Sequence, residues 1–411
     1  MNLKQLGILL VLVAVLGAAG MIVFKKQNAA RSAGNTAIGQ KVMGDLPVND
    51  ISHVSIRHGT NELNLVKKDD LWRVSERQDY PANFGQISEF LLKVRDLKAV
   101  QTEQVGPSQL PRLQLAPGQG TNAPTVVEFR GAGDKAIGTL LLGKMHMNSG
   151  RSASPMMGES EGGWPDGRYV MVGANSGSVA VISNPFENIE PKPQEWLNKD
   201  LVRVEKSKSI EVDFPVATNS WKLTRETETG EWKLADARAG EQVDSSKISS
   251  VTSPFSSPSF SDVSPGDKIE GSGTNRPTVV KIETFDGFSY TVKIGAKTND
   301  NYLVHFAVTA QLPKERVAGK DEKPEDKVKL DKEFKDRQQK LEEKLKQEQF
   351  CGNWTYLLAS WSVDPVIKER SQLLVEKKDE PKAGEDGTNS VKSAEEPKVE
   401  DPALPAIHTE P

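Results

Sequence analysis

Residues 276–296, RPTVVKIETFDGFSYTVKIGA, share their pattern with residues 123–144, APTVVEFRGAGDKAIGTLLLGK. Both stretches run Pro-Thr-Val-Val, a charged residue, an apolar residue, a short polar turn and a second apolar run that ends at a Gly. Apolar and polar residues that alternate on both sides of a short turn predict an antiparallel hairpin. Because Pro124 and Pro277 lie 153 positions apart, the match indicates one fold that is encoded twice.

The stretches that precede these hairpins recur in the same order. Three short alternating stretches come before each hairpin, and Trp232 stands 160 positions after Trp72, at the same place in the third stretch. We therefore predict an α+β fold of two tandem repeats, 48–205 and 206–376, each a mostly antiparallel sheet meander covered by a helix. The stretches are 51–57, 62–66 and 71–74 in the first copy and 209–214, 220–226 and 231–235 in the second.

The stretch YPANFGQISEFLLKVRDLK, residues 80–98, predicts the helix that covers the first sheet. Asn83 is a typical N-cap residue, and apolar residues then recur on one helical face. In the second repeat two prolines interrupt the corresponding stretch, which predicts a short helix there. A short helix is also predicted to close each repeat, within residues 195–202 and 365–375. The apolar face of the first helix consists of Ile87, Phe90, Leu91, Val94 and Leu97.

The N-terminus contains an uncharged run, residues 6–24, of the length that a bilayer-spanning helix needs. We predict residues 1–26 as a transmembrane anchor and residues 27–47 as a flexible tether. A cleavable signal peptide is the alternative, because small residues occur at positions 18–20. Almost all of the chain follows the span, so its bulk is predicted to lie outside the cytoplasm.

Composition limits the class of protein. The 411 residues carry a net charge of -4 with both signs mixed along the chain, so no nucleic-acid surface is predicted. The single cysteine, Cys351, excludes an intramolecular disulfide and a cysteine-based zinc site. Residues 377–411 are rich in Pro, Glu and Lys, which predicts a disordered acidic tail.

Residues 158–162, GESEG, match the Gly-x-Ser-x-Gly pattern of a nucleophile elbow around Ser160. That motif works on a tight turn between a strand and a helix. Here it lies in a polar stretch with no apolar strand before it and no helix after it. A serine hydrolase at Ser160 is therefore only a remote alternative.

Met145, His146, Met147, Met156 and Met157 concentrate thioether and imidazole groups in thirteen residues. This ligand set is typical of sites that select Cu(I). The alternative is a loop whose methionines pack against the edge of a sheet. The sequence does not decide between the two, and we predict no catalytic, cofactor-binding or metal-ligand residue and no cofactor.

Trp72 and Trp232 occupy equivalent places in the two copies. A tryptophan in a strand is usually a buried core residue. The alternative is an exposed platform that binds a carbohydrate. An exposed pair would favour the platform.

Residues 311–349 are a charged insertion in the second repeat, and they predict a helix. Its apolar residues Leu330, Phe334, Leu341 and Leu345 form one narrow stripe. The helix could pack on its own domain through this stripe. It could also pair with a partner helix, coiled-coil fashion, through residues 325–349.

This organisation resembles a bacterial family known as the domain of unknown function number 4340. The resemblance rests on the N-terminal span, DLPVNDISHVSI, the Trp of LWRV, YPANFGQISEFLLKVRDLK and YVMV, followed by a second copy. It covers roughly residues 44–310 and, more loosely, 350–376. Members are often encoded beside ABC transporters similar to those linked to gliding motility. The family has no assigned catalytic residues, and the short second helix and the charged insertion depart from its pattern.

The resemblance implies a non-enzymatic accessory or scaffold protein, anchored in the bacterial inner membrane by a single span, with its bulk in the periplasm. An ABC transporter permease or auxiliary subunit is the implied partner. The alternative function is an extracytoplasmic protein that binds a glycan or a peptide.

Overall fold

The structure is a computed structural model that describes residues 38–118, 122–148, 164–173, 178–269, 276–317 and 322–375. The predicted transmembrane run at 6–24, most of the predicted tether and the predicted tail at 377–411 lie outside this part of the chain. Within the part that is described, no helix combines the length and the apolar character needed to cross a membrane.

The first sheet contains nine strands in the order β4-β3-β2-β1-β6-β7-β8-β9-β5, and every neighbouring pair is antiparallel. The first three strands form the predicted meander, whereas β5 crosses over to pair with β9 at the far edge. The strands are β1 (Ile51–His58), β2 (Asn61–Lys68), β3 (Leu71–Val74), β4 (Tyr80–Pro81), β5 (Ala99–Gln104), β6 (Thr125–Gly131), β7 (Ala136–Asn148), β8 (Trp164–Val172) and β9 (Ser178–Ile182).

The second sheet contains eight antiparallel strands in the order β12-β11-β10-β14-β15-β16-β17-β13. Apart from β4, this order matches that of the first sheet strand by strand. The strands are β10 (Ser207–Asp213), β11 (Trp221–Thr224), β12 (Lys233–Leu234), β13 (Phe260–Pro265), β14 (Thr278–Thr284), β15 (Phe288–Thr298), β16 (Asn301–Ala310) and β17 (Trp354–Ala359).

Helices are few within the described residues, which form a sheet-rich α+β fold. The α-helices are α1 (Phe84–Arg95), α2 (Ser245–Ile248), α3 (Pro324–Phe350) and α4 (Ser360–Val363). Short 3-10 turns occupy Val48–Asp50, Ser75–Arg77, Leu110–Leu113, Ala132–Asp134, Pro193–Trp196, Ala217–Asn219, Cys351–Asn353 and Arg370–Leu373.

Helix α1 covers the first sheet as predicted. The Asn83 side chain accepts a hydrogen bond from the Gln86 backbone N–H at 3.1 Å, which caps the helix. Phe90 is buried and its ring lies 6.2 Å from that of Phe129 in β6. Burial of one such side chain stabilises the fold by about 1.5–3 kcal/mol. The counterpart α2 has only four residues, in line with the predicted short helix.

The predicted closing helices are reduced to 3-10 turns, Pro193–Trp196 and Arg370–Leu373, and only the second lies within its predicted range. Each is a 3-10 turn followed at once by extended chain, in which Leu197 bridges Ala82 and Leu374 bridges Val243. The carbonyl of Trp196 accepts from the Asn83 N–H at 2.8 Å. Backbone groups that pair across the chain in this way cannot continue an α-helix.

Both sheets belong to one compact unit that ends at Leu374. Tyr80 of the first sheet connects the two sheets. Its ring lies 4.9 Å from that of Trp354 in β17 and 6.1 Å from that of Phe260 in β13. Aromatic side chains from both sheets thus share one core.

Candidate functional site

The second half of helix α3 is attached to the second sheet. Leu341 and Leu345 pack against the main core, and the helix contacts β16. Two of the four residues of the predicted stripe are therefore already packed against the chain itself.

The last turn of α3 is held by a buried carboxylate. Glu348 accepts a hydrogen bond from the Arg203 backbone N–H and another from the Tyr290 hydroxyl, each at 2.8 Å. Burial raises the pKa of the Glu348 carboxyl above its ordinary value. Lys344 adds an ion pair to Glu205 at 3.0 Å. Polar and apolar contacts together fix this end of the helix.

The first half of α3 is less covered. Leu330 is 37% exposed and Phe334 is half-buried, and within the described residues neither belongs to the main core. Arg337 pairs with Asp286 in the turn between β14 and β15. Arg316 donates to Asp331 at 2.8 Å, which links the start of the helix to the segment leading into it. Residues 324–336 thus present a partly exposed apolar stripe among charged side chains.

Met145, His146 and Met147 all belong to β7. Met145 pairs with Arg168 across β7 and β8, and His146 pairs with Gly167, and the strand register shifts on both sides of this pair. The His146 ring packs against Tyr169, with ring centres 5.6 Å apart.

Met145, His146 and Met147 together line a cleft of about 460 Å³. The His146 Nδ1 lies 2.6 Å from an Asp166 carboxylate oxygen. In the described ranges there is no group of three or more His, Cys, Asp or Glu side chains that could hold a metal ion. Met156, Met157 and Ser160 lie outside those ranges.

Trp72 lies in β3, and Trp232 comes directly before β12. Trp72 is buried. Trp232 is half-buried, with the Arg225 guanidinium 4.8 Å from its ring centre. Neither arrangement leaves an open aromatic pair for a carbohydrate.

A second cleft, of about 220 Å³, was not predicted. It lies between α1 and the turn after β9, residues 184–189. Gln86, Glu89 and Lys93 form the helix side, and their spacing of three and four residues could have indicated a shared polar face. Trp196 lines the cleft from the other side. The sequence predicts this residue in a closing helix, which gives no sign of the cleft.

Fold and surface together define an antiparallel, sheet-rich α+β protein that carries a long charged helix and two side-chain-lined clefts. The chain belongs to the family described as domain of unknown function (DUF4340), which matches residues 72–277, about half of its length. That match begins in β3 of the first sheet and ends just before β14 of the second. No curated protein and no solved structure matches the chain.

Proposed function

We propose that this protein is a non-enzymatic accessory or scaffold protein, anchored in the bacterial inner membrane by residues 6–24, with its bulk in the periplasm. It would serve an ABC-type transport system, with a permease or auxiliary subunit as partner. Family membership and the uncharged N-terminal run support this proposal. The transporter association comes from the resemblance described above.

The proposal includes two tandem repeats, 48–205 and 206–376. Matching strand orders in the two sheets support them. A matching detail adds to this support, because the Asn83 N–H donates to the Trp196 carbonyl and the Asp244 N–H donates to the Leu373 carbonyl, at 2.8 and 2.9 Å. Both bonds join the residue before a covering helix to the end of a 3-10 turn. The second repeat differs by the insertion of α3, which fits a surface added for docking.

The observation that carries the docking role is the division of α3 into an attached half and a partly exposed half. A rigid helix that is fixed at one end offers a preformed surface, so little conformational entropy is lost when a partner binds. Leu330 and Phe334 are the apolar anchors that a partner helix would cover. Residues 337–350 already contact the chain itself, so the partner would use residues 325–336 of the broader predicted segment.

A site-specific photo-crosslinker tests this. We would place it at position 330 or 334 in the full chain, irradiate intact cells, and identify adducts by mass spectrometry. The expected adduct is a transporter permease or auxiliary subunit. A crosslinker at Thr227, an exposed residue in the connection between β11 and β12, should give no such adduct. Adducts of equal yield from both positions, or none with any transport component, would contradict the docking role.

A pair of matched variants makes the test sharper. Leu330→Asp with Phe334→Asp should abolish co-purification of the partner from mild detergent. Lys332→Asp with Lys335→Asp adds as many carboxylates to exposed positions of the same helix and should leave co-purification intact. Equal loss in both variants would show that charge, rather than the apolar stripe, governs the association.

The glycan-binding alternative is favoured by the cleft beside Trp196. The hydrolase alternative at Ser160 draws no support from geometry, since Ser160 lies outside the described residues.

A further inference from the structure

The larger of the two described clefts, of about 460 Å³, lies between the end of β7, the end of β5 and the 3-10 turn Leu110–Leu113. Its size falls within the roughly 300–1,000 Å³ of ordinary ligand sites. Val105, Leu113 and Tyr169 line it and also pack against the smaller of the two apolar cores. In sites of this form, a few polar groups on apolar walls decide what is bound.

Two cationic side chains line this cleft without a counter-charge. Arg112 in the 3-10 turn and Lys144 in β7 are both exposed, and within the described residues neither side chain has an ion pair. By contrast, Arg130 of the same sheet pairs with Glu128 and Asp134. Arg112 and Lys144 are long and solvated, so their charged ends can turn towards a ligand in the cleft.

The remaining polar groups of the cleft leave positive charge in excess. Among the described lining residues, Glu103 alone carries a carboxylate, which accepts from the Gln101 side chain at 2.8 Å. The Tyr169 hydroxyl has no hydrogen-bond partner in the described part of the chain and is not among its buried unpartnered atoms, so it is accessible to solvent. Two cations against one carboxylate favour an anionic ligand. A guanidinium and an ammonium together match the oxygens of a phosphate.

The chain enters the first sheet beside the strand whose far end lines this cleft. The Gly39 N–H donates to the Ala99 carbonyl at 2.8 Å, and the Ala99 N–H donates to the Gln40 carbonyl at 3.1 Å. Ala99 begins β5, the edge strand. The residues between 24, where the uncharged run ends, and 38 reach at most about 50 Å. A chain anchored by that run therefore keeps this edge of the sheet near the bilayer surface.

We propose that this cleft binds the phosphate of an anionic phospholipid headgroup, with Arg112 and Lys144 as its cationic contacts. Each basic side chain at an anionic bilayer surface strengthens binding roughly fivefold. The anchor holds the cleft at a high local concentration of lipid, so weak binding of one headgroup suffices. The choice of a lipid as the source of the phosphate rests on the proposed membrane anchor. The cleft is lined by the first repeat and is separate from α3, so the docking role does not depend on it.

Saturation-transfer difference NMR on the full chain in nonionic detergent tests the proposal with soluble dibutyryl lipids. Phosphatidylglycerol should give a saturable signal, and zwitterionic phosphatidylcholine should bind several times more weakly. Arg112→Gln with Lys144→Gln should weaken the binding of phosphatidylglycerol at least about tenfold. The matched control, Lys233→Gln with Arg238→Gln, removes the same two charges from exposed positions outside the cleft and should bind as the wild type does.

A third variant changes the charge of the cleft in the opposite direction. Glu103→Gln removes the carboxylate that repels an anion, so it should tighten the binding of phosphatidylglycerol severalfold. All of these substitutions are at exposed or half-buried side chains and should leave the melting temperature unchanged. The proposal is overturned if phosphatidylglycerol gives no saturable signal, if the cleft variants bind as the wild type does, or if the control loses as much affinity as the Arg112 and Lys144 variant.

Further probes test the choice of ligand. If inorganic phosphate or glycerol 3-phosphate binds as tightly as phosphatidylglycerol, with the same dependence on Arg112 and Lys144, the ligand is a soluble phosphate and the lipid source is wrong. Tighter binding of succinate would reject phosphate in favour of a carboxylate. Carbonate extraction of membranes tests the anchor separately. A chain that stays in the membrane pellet but binds no phosphatidylglycerol contradicts this site alone, whereas a chain that is released contradicts the anchor.

Discussion

Arg77 and Asp262 lie 185 positions apart in the chain and form a bidentate ion pair, with Nε–Oδ1 at 2.6 Å and Nη2–Oδ2 at 2.8 Å. Arg77 ends the 3-10 turn after β3, and Asp262 lies in β13 at the edge of the second sheet. Nearby, the Lys199 ammonium donates to the Phe260 carbonyl of the same strand at 3.3 Å. Polar contacts therefore join the two sheets alongside the aromatic core around Tyr80.

The Arg77–Asp262 pair should contribute measurably to stability, because its side chains are only 24% and 33% exposed. In a double-mutant cycle with Arg77→Ala and Asp262→Ala, we expect a coupling energy of about 1 kcal/mol from chemical denaturation. The control is the ion pair between the adjacent residues Arg95 and Asp96, whose side chains are 38% and 54% exposed. Its coupling energy should be about 0.5 kcal/mol or less. Equal coupling in the two cycles would show that the contact between the sheets adds no stability beyond that of an exposed ion pair.

A comparison of Trp196 with Trp221 separates the contribution of a hydrogen bond to stability from the contribution of packing. Trp196→Phe and Trp221→Phe remove the same atoms from fully buried sites, so their packing losses should be similar. Only Trp221→Phe also deprives the Lys368 carbonyl of its donor. We expect the free energy of unfolding to fall by about 1–2 kcal/mol more for Trp221→Phe than for Trp196→Phe. Thermal and urea denaturation of the two variants measure this difference, and a larger loss for Trp196→Phe would contradict it.

Glu348 should make stability depend on pH. Burial raises the pKa of its carboxyl in the folded chain above the ordinary value of 4.5, so the folded state binds the proton more tightly than the unfolded state does. The resulting stability is present below about pH 4.5 and is lost as the pH rises through the folded pKa.

Glu348→Gln removes this titration but keeps the size of the side chain. The stability of the variant relative to the wild type should therefore increase as the pH rises above about 4.5, as followed by urea denaturation at several pH values. Glu343→Gln changes an exposed carboxyl of the same helix and should show no such trend. A stability difference for Glu348→Gln that is constant across this range would refute the prediction.

Cys351 reports whether the end of α3 stays attached. It follows the helix directly, is buried, and burial raises the pKa of its thiol to about 11. Since the thiolate is the reactive form, labelling of the native protein by a thiol reagent at about pH 8 should be slower than that of the urea-unfolded chain by a factor of at least about 100.

This chain has a single thiol, so the labelling signal is unambiguous. Leu341→Asp places a charge beneath the attached half of α3 and should accelerate labelling, whereas Lys340→Asp on an exposed position should not. Rapid labelling of the native wild type would mean that the end of the helix opens readily.

Local structure was largely predictable from the sequence. Strand β3 has its predicted bounds, 71–74. Asn83 caps α1 as expected, and four of the five residues of its predicted apolar face lie within the helix and are buried. These features depend on the period of apolar residues and on side chains a few positions away, and both are visible in the chain itself.

Features that join distant residues were not predictable. Nothing local indicates that β5 pairs with β9, that Arg77 meets Asp262, or that Glu348 enters a pocket made by Arg203 and Tyr290. The extended chain after each closing 3-10 turn was not predictable for the same reason, because its bridges, Leu197 to Ala82 and Leu374 to Val243, join distant segments.

The sequence by itself determined the type and order of most elements, the uncharged N-terminal run and the charged insertion, since each follows from residue pattern and composition. Three outcomes follow from the tertiary structure alone: which half of α3 is attached, that Met145 and His146 line one cleft, and that Trp196 is buried without an acceptor for its Nε1 among the described residues. Those outcomes depend on which distant surfaces pack together. Packing is settled by the summed burial and hydrogen bonding of the whole chain, which no short stretch contains.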